Sequence, residues 1–477
     1  MESSISAVSG SAPWRARSWL LWSALIIALA AGTAAVPRLG YASLALAIGV
    51  IAWRWSEAAL QTAVFGILAV RPALDLFSVR TLETSVFAIN PAVLFGLLML
   101  LLAGVLGLQR LVQRKRIWPD RRLLMSHVWL FVAYLIMAGA GARWYGALGA
   151  NEGIRELLRV ASIVAAFLLL LWWVEEDAHA WRRGWIYLGL GTLLPIYFAL
   201  QQLITGKGFI EAGHIRLQGT FSHPNSFGQY LVPFILAALG SALPARGLNR
   251  LWRLAVGAGL AVLLVLTLSR TAILVLGTAV VAMPLLQSRR LGWRGLLRGF
   301  SIVMIFGLIA WLFAGDYIVR RFQGVSLGPE AFQEVLAGRS ENSFTWRLIN
   351  WGVLVLVGME HPIAGHGAGM TTQLNPVVNQ DTGQPFNAHD DFVRFFFEGG
   401  VLGLAAYILY GALLCLWALR KAREAPRHRA AVSYAIAAAL LAMIFLSGGT
   451  TELSLHTANL YALYGMLGML DAGKREA

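Results

Sequence analysis

Gly315-Asp316-Tyr317-Ile318-Val319-Arg320-Arg321 opens a polar interval that closes on Asn387-Ala388-His389-Asp390-Asp391. It is the only long polar interval between apolar runs. Within it lie Arg347 and the glycine turn Gly365-His366-Gly367-Ala368-Gly369. Upstream and downstream the chain reads as one apolar segment after another. The interval therefore sets the plan: hydrophobic segments on either side and one large polar loop, with His389 where the loop meets the next apolar run.

Hydrophobic residues make up 58% of the 477 residues and charged residues 13%. A soluble chain carries about 25% charge. Mean hydropathy is +0.65. Runs near the ~20 residues needed to cross a bilayer recur throughout. Lipid offers the backbone no hydrogen bonds, so spans are helices or a closed barrel. These runs are continuous rather than alternating, which selects helices. Candidate spans are 19–36, 41–55, 58–70, 91–108, 124–140, 156–174, 185–204, 226–243, 252–268, 271–286, 298–314, 396–419, 430–447 and 456–470. The second, third and last are short. The expected fold class is all-α: a polytopic membrane protein of about 12–14 transmembrane helices with one large outer loop carrying short helices. Three units follow: 1–314, 315–391 and 392–477. Arg15 and Arg17 precede the apolar run from Trp19 to Val36, which reads as the first span. The one cysteine, Cys415, lies in an apolar run and makes no intramolecular disulfide.

Lysine and arginine favour cytoplasmic segments. With the N-terminus inside, 14 of the 39 basic residues fall on the outer side, and the remaining 25 lie in inner segments. This split puts 315–391 outside and makes the net charge of +15 mainly a topology signal. Nucleic acid is not an expected partner, because the basic residues are scattered over short inner loops. The outer cations gain nothing from the inside rule. Thirteen of the fourteen are arginines: Arg38, Arg71, Arg80, Arg143, Arg155, Arg159, Arg216, Arg270, Arg320, Arg321, Arg339, Arg347 and Arg394, with Lys207 the exception. Arginine suits bidentate contact with phosphate or carboxylate.

Arg270 stands between two apolar runs with almost no loop, at the membrane edge. Charge at that depth points to function, against the ordinary alternative of snorkelling to headgroups. Arg216 begins Arg216-Leu217-Gln218-Gly219-Thr220-Phe221-Ser222-His223-Pro224-Asn225-Ser226-Phe227-Gly228. Asn225 or Ser226 can cap the following helix, whose start offers N–H groups to an anion. For His223 and Asn225 alone, a capped turn is the simpler reading. Arg155 and Arg159 share a helix face beside Glu156, most simply an ion-paired helix end, with Arg159 deep enough to reach a cavity. Arg347 sits in an amphipathic stretch that reads as a helix lying on the membrane. The Gly365–Gly369 run lacks the strand and helix context of a dinucleotide loop. His389 precedes a helix capped by Asn387 or Asp390. Histidine can take a proton from a hydroxyl near neutral pH, and Asp390 could orient its ring. No group has metal-ligand spacing, so no metal and no cofactor are expected.

Four stretches together resemble the bacterial O-antigen ligases, of the superfamily shared with O-antigen polymerases and bacterial O-linked oligosaccharyltransferases. They are Arg216 to Tyr230, Ser269-Arg270-Thr271, Trp346 to Gly369, and His389 to Gly403 with Glu398-Gly399-Gly400. The resemblance implies a lipid-carrier glycosyltransferase at the periplasmic face of the bacterial inner membrane. Its donor would be O-antigen on undecaprenyl pyrophosphate, and its acceptor a sugar hydroxyl of lipid A–core. The family's essential arginines map onto Arg216 and Arg270, and its histidine onto His389. Many relatives carry His-Asn where this chain has His389-Asp390. On this basis His389 and Asp390 are the catalytic candidates. Arg216, Arg270, Arg347 and Arg159 are the donor-binding candidates, with His223, Asn225 and Glu398 secondary. Membrane lipids are the remaining expected partners.

The chemistry of these residues agrees. Fixed arginines stabilise a departing pyrophosphate most in the transition state, while a histidine takes the acceptor proton and a single displacement inverts the anomeric carbon. A polymerase or a protein-directed oligosaccharyltransferase would use the same donor residues. One dominant outer loop favours the ligase. A lipid-linked oligosaccharide transporter would favour an internal repeat and broken helices in both halves, and the sequence has no such repeat.

Overall fold

The computed structural model describes residues 57–77, 82–83, 88–89, 91–211, 214–287, 297, 301, 328–336, 343–378, 383–450 and 452–470. The expected spans 19–36 and 41–55 lie outside these residues, as do 298–314 apart from residue 301, and 315–327. The described chain is almost wholly helical. Its only strands are two short antiparallel hairpins, β1 (Leu82–Glu83) with β2 (Ala88–Ile89) and β3 (Phe209–Glu211) with β4 (His214–Arg216). It is an all-α polytopic membrane protein. Among the described residues seven helical segments are long and apolar enough to cross a membrane.

In chain order the helices are α1 (Glu57–Val70), α2 (Pro91–Val112), α3 (Arg121–Glu176), α4 (Ala178–Thr205), α5 (Pro224–Ala242), α6 (Gly247–Leu266) and α7 (Arg270–Gln287). The loop contributes α8 (Pro329–Leu336), α9 (Ser343–Gly358) and α10 (Thr371–Leu374). The C-terminal part holds α11 (Asp391–Glu424), α12 (Arg427–Ala442) and α13 (Thr457–Gly468). α1 and α13 are shorter than a crossing: 14 residues rise only about 21 Å.

α3 contains two antiparallel arms. Gly146 breaks it with φ 58°, ψ −130°. Beyond the break the chain returns along itself, so that a Cβ added at Gly153 would sit 2.6 Å from Ala138 Cβ and one at Gly149 would overlap the Gly141 carbonyl. The expected spans 124–140 and 156–174 are these two arms. In lipid, no hydrophobic force draws helices together, so small residues that let backbones approach matter more. Gly240 of α5 does the same against Ala431 and Ala435 of α12, with contacts of 3.0 Å to each.

α11 corrects the expected span 396–419. Gly400, at φ 63°, ψ −162°, divides it. The short first arm lies back against the second, with the Phe395 and Tyr407 rings stacked 4.0 Å apart. A side chain at Gly400 would overlap the Ile363 carbonyl. The helix that follows His389 is therefore a short folded-back arm before the long apolar one.

The glycine run of the loop is a packing device. Gly365, Gly367 and Gly369 all have positive φ. Side chains at Gly365 and Gly367 would overlap the backbones of Glu398 and Gly141. The segment bonds to both hairpins: His366 N–H donates to Phe397 O at 2.9 Å, Gly367 N–H to Glu398 O at 2.8 Å, and Ala368 N–H to Met137 O at 3.0 Å. It ties the loop to the turns of α3 and α11.

Candidate active site

Four helix beginnings meet at one place. α5 starts at the cap His223, whose Nδ1 accepts from Asn225 N–H at 3.1 Å. α7 starts at Arg270. α11 starts at the cap Asp390, whose Oδ1 accepts from Val393 N–H at 2.8 Å. α13 starts after His456. Their mutual contacts are specific. Arg216 Nε donates to Thr267 O at 2.9 Å and its Nη2 to Asn225 Oδ1 at 2.8 Å, joining the starts of α5 and α7. Gly228 lets α5 approach α7: a Cβ there would lie 2.8 Å from Ala272 Cβ. Ser226 Oγ and His456 Nδ1 are 3.1 Å apart, joining α5 to α13. Ser454 N–H donates to Asp391 Oδ2 at 3.0 Å, joining α13 to α11. Each helix start carries the positive end of its dipole, an arrangement of the kind that attracts anions.

His389 stands here with φ 53°, a left-handed conformation that is unfavourable for a residue with a side chain. Such strain costs about 1–3 kcal/mol and persists only where neighbours over-determine the backbone. They do so on both sides. Asn350 Nδ2 donates to Asn387 O at 3.2 Å and Trp351 Nε1 to Ala388 O at 2.8 Å. His389 N–H donates to the Glu452 carboxyl, and Asp391 N–H to Gly448 O at 2.7 Å. The imidazole meets the Trp346 ring edge-on at 5.3 Å. Burial, followed by the positive charge of Arg347 and by His223 and His456, lowers its pKa to about 3. The ring is thus neutral in the unliganded protein. Leu268, two residues before Arg270, is also left-handed at φ 50°.

Behind α11 lies a buried ion network. Arg394 is 2% exposed. It reaches Glu156 at 2.9 Å, Glu398 at 3.1 Å and Ser454 Oγ at 3.0 Å. Arg159 pairs with Glu156 and donates to Ser454 O at 2.8 Å. Thr371 Oγ1 donates to Glu398 at 2.8 Å, tying α10 in. Tyr407 donates to Asp391 at 3.0 Å, and Ser454 Oγ donates to the same carboxylate.

The residues expected at the site separate into groups. His389, Arg347, His223, Asn225 and the start of α7 come together. Arg216 is 3% exposed and bonded to Thr267 and Asn225, so the structure gives it a clamping position. Arg159 and Glu398 belong to the ion network. Asp390 caps α11 rather than orienting the imidazole; burial holds its carboxyl above the usual range. Residues not singled out by sequence are Asp391, Glu452, Ser454 and His456; Glu156 was named only as the ion-pair neighbour of Arg159, which it is, and Arg394 only as one of the outer arginines. One signal existed: Asp391, Arg394 and Glu398 repeat at helical spacing on an otherwise apolar arm.

The fold is that of a polytopic helical membrane protein, and four of its helix starts meet beside His389. Residues 255–408 match the family model described as O-antigen ligase. The match runs from α6 through Arg270, Arg347 and His389 past the Gly400 turn, so this segment of the chain is similar to that family. No curated protein matches the chain.

Proposed function

We propose that this protein transfers O-antigen polysaccharide from undecaprenyl pyrophosphate to a sugar hydroxyl of lipid A–core, at the periplasmic face of the bacterial inner membrane. The observation that carries this reading is the strained, neutral His389 at a junction of four helix N-termini, inside the segment that matches the family.

The acceptor hydroxyl attacks the anomeric carbon of the donor. The new C–O bond forms as the bond from that carbon to the pyrophosphate oxygen breaks, and one displacement inverts the configuration. His389 takes the hydroxyl proton, a contribution typically worth ~10²–10⁴-fold in rate. The bond electrons pass to the pyrophosphate, where Arg270, Arg347 and the helix N-termini stabilise the growing charge. Arg216 holds the starts of α5 and α7 at the spacing this needs. These cations supply the charge stabilisation that a divalent ion supplies elsewhere, so the reaction is proposed to be metal-independent.

The test is transfer by purified protein in detergent from carrier-linked glycan, offered lipid A–core, carrier-linked repeat units or a pilin as acceptor. A product on lipid A–core alone supports the ligase. Elongated carrier-linked glycan would make it a polymerase, and glycosylated pilin an oligosaccharyltransferase. Consumption of no donor with any acceptor would remove the glycosyltransferase reading.

A further inference from the structure

We infer that Glu452 is a positioning residue for His389, its buried carboxyl holding the histidine's backbone N–H from beneath. This rests on the reading of His389 as the base. Glu452 lies in the connection between α12 and α13. It is 4% exposed. Its carboxyl accepts from the His389 N–H, and its Oε1 has no hydrogen-bond partner.

Two features of the site require this contact. His389 is left-handed, so its N–H points away from the direction it would take in a continuing strand or helix. An unpaired buried N–H costs about 1–3 kcal/mol, and Glu452 supplies the acceptor. The neighbouring backbone is held from α9 on one side, through Asn350 and Trp351, and from the 448–454 connection on the other. Glu452 is the second connection's contact at the histidine itself.

The surroundings select the neutral form. The carboxylates Asp391 and Glu398 on α11 and Glu156 on α3 already face the cations Arg394 and Arg159. A fourth buried carboxylate would add unbalanced negative charge where water cannot screen it. Burial accordingly raises the Glu452 pKa to about 8, despite the nearby Arg394. Below that pH the acid supports the His389 backbone without placing a negative charge behind the anion site. Above it, an ionised Glu452 opposes a pyrophosphate and pulls on the N–H it holds.

Three variants test this in the transfer assay, with His389→Ala as reference. Glu452→Ala should lower kcat about tenfold or more while donor KM and monodispersity stay near wild type, with Tm lowered by the N–H left unpaired. Glu452→Gln keeps an uncharged acceptor and should retain most of kcat. Wild type should lose kcat as pH rises through about 8, and Glu452→Gln should lack that alkaline fall. The double variant His389→Ala/Glu452→Ala should be no slower than His389→Ala. Wild-type kcat in Glu452→Ala, a Glu452→Gln as slow as the alanine variant, or an alkaline fall unchanged in Glu452→Gln would each overturn the assignment. If Glu452→Ala does not fold, the pH comparison with Glu452→Gln decides alone. An inactive wild type, or a fully active His389→Ala, would instead overturn the proposed function and its base.

Discussion

Tyr407 Oη donates to Asp391 Oδ2 at 3.0 Å, although the two residues are sixteen apart on α11. A continuous helix would separate them by about 24 Å. The contact exists because Gly400 turns the chain back, bringing the arm that carries His389 and Asp390 at its start against the long arm. The site's geometry therefore depends on a turn that no side chain at position 400 can accommodate.

Gly400→Ala should consequently destabilise the protein by more than ~2 kcal/mol, since it combines positive φ with overlap on the Ile363 carbonyl. Gly139→Ala, on a helical arm with nothing within 4 Å of its Cβ, is the matched control. It should be neutral or stabilising by up to ~1 kcal/mol. Thermal unfolding in detergent separates the two. Equal Tm values would mean that the turn is not as described.

Arg216 and Arg270 should fail differently. Arg216 is buried and bonded to protein groups on two sides, so Arg216→Ala should lower both Tm and turnover. Arg270 is half-buried at the start of α7. Arg270→Lys should reduce turnover by about tenfold or more with Tm unchanged, because a point charge does not replace a planar fork. Paired Tm and rate measurements check this. A normal rate in Arg270→Ala would remove that residue from the site.

Much of this arrangement was legible in the sequence. Apolar runs gave the helices of the described region, because lipid leaves the backbone no alternative. The short polar stretches placed Arg270 and His389 at helix starts, where the structure has them. The reversals were not legible: Gly146 and Gly400 look like ordinary glycines of apolar helices, and only the neighbours they approach reveal the turns. The packing role of the Gly365–Gly369 run was not legible, because it depends on contacts with residues far away in sequence. The ion network escaped for the same reason, since Arg394 meets Glu156 across 238 positions. Asp390 was read both as a cap of the following helix and as a partner of the ring, and its side chain makes the cap.

The pH dependence follows from the lowered His389 pKa. In the free enzyme the ring stays neutral down to about 3, so kcat/KM should show no histidine limb between pH 5 and 7. Bound pyrophosphate brings negative charge and offsets Arg347, so the limb in kcat should lie at higher pH. Because the folded pKa lies below the ordinary 6.5, protonation favours unfolding. The neutral ring's contribution to stability is present above 6.5 and is lost as pH falls towards 3. Tm should drop across that window, and less steeply in His389→Gln.

Chelation tests the proposed charge stabilisation by arginines. Turnover should be unchanged in EDTA. Activity lost in chelator and restored by a divalent cation would show that a metal, not the guanidinium groups, carries the leaving-group charge.

The most direct measurement is turnover of His389→Gln against pH at saturating donor, with donor binding measured in parallel. The expected result is a fall of ~10²–10⁴-fold with donor affinity retained and the acidic limb of kcat gone. A variant that keeps substantial turnover and the wild-type acidic limb would show that His389 shapes the pocket or bonds a phosphate, and that the acceptor proton goes elsewhere.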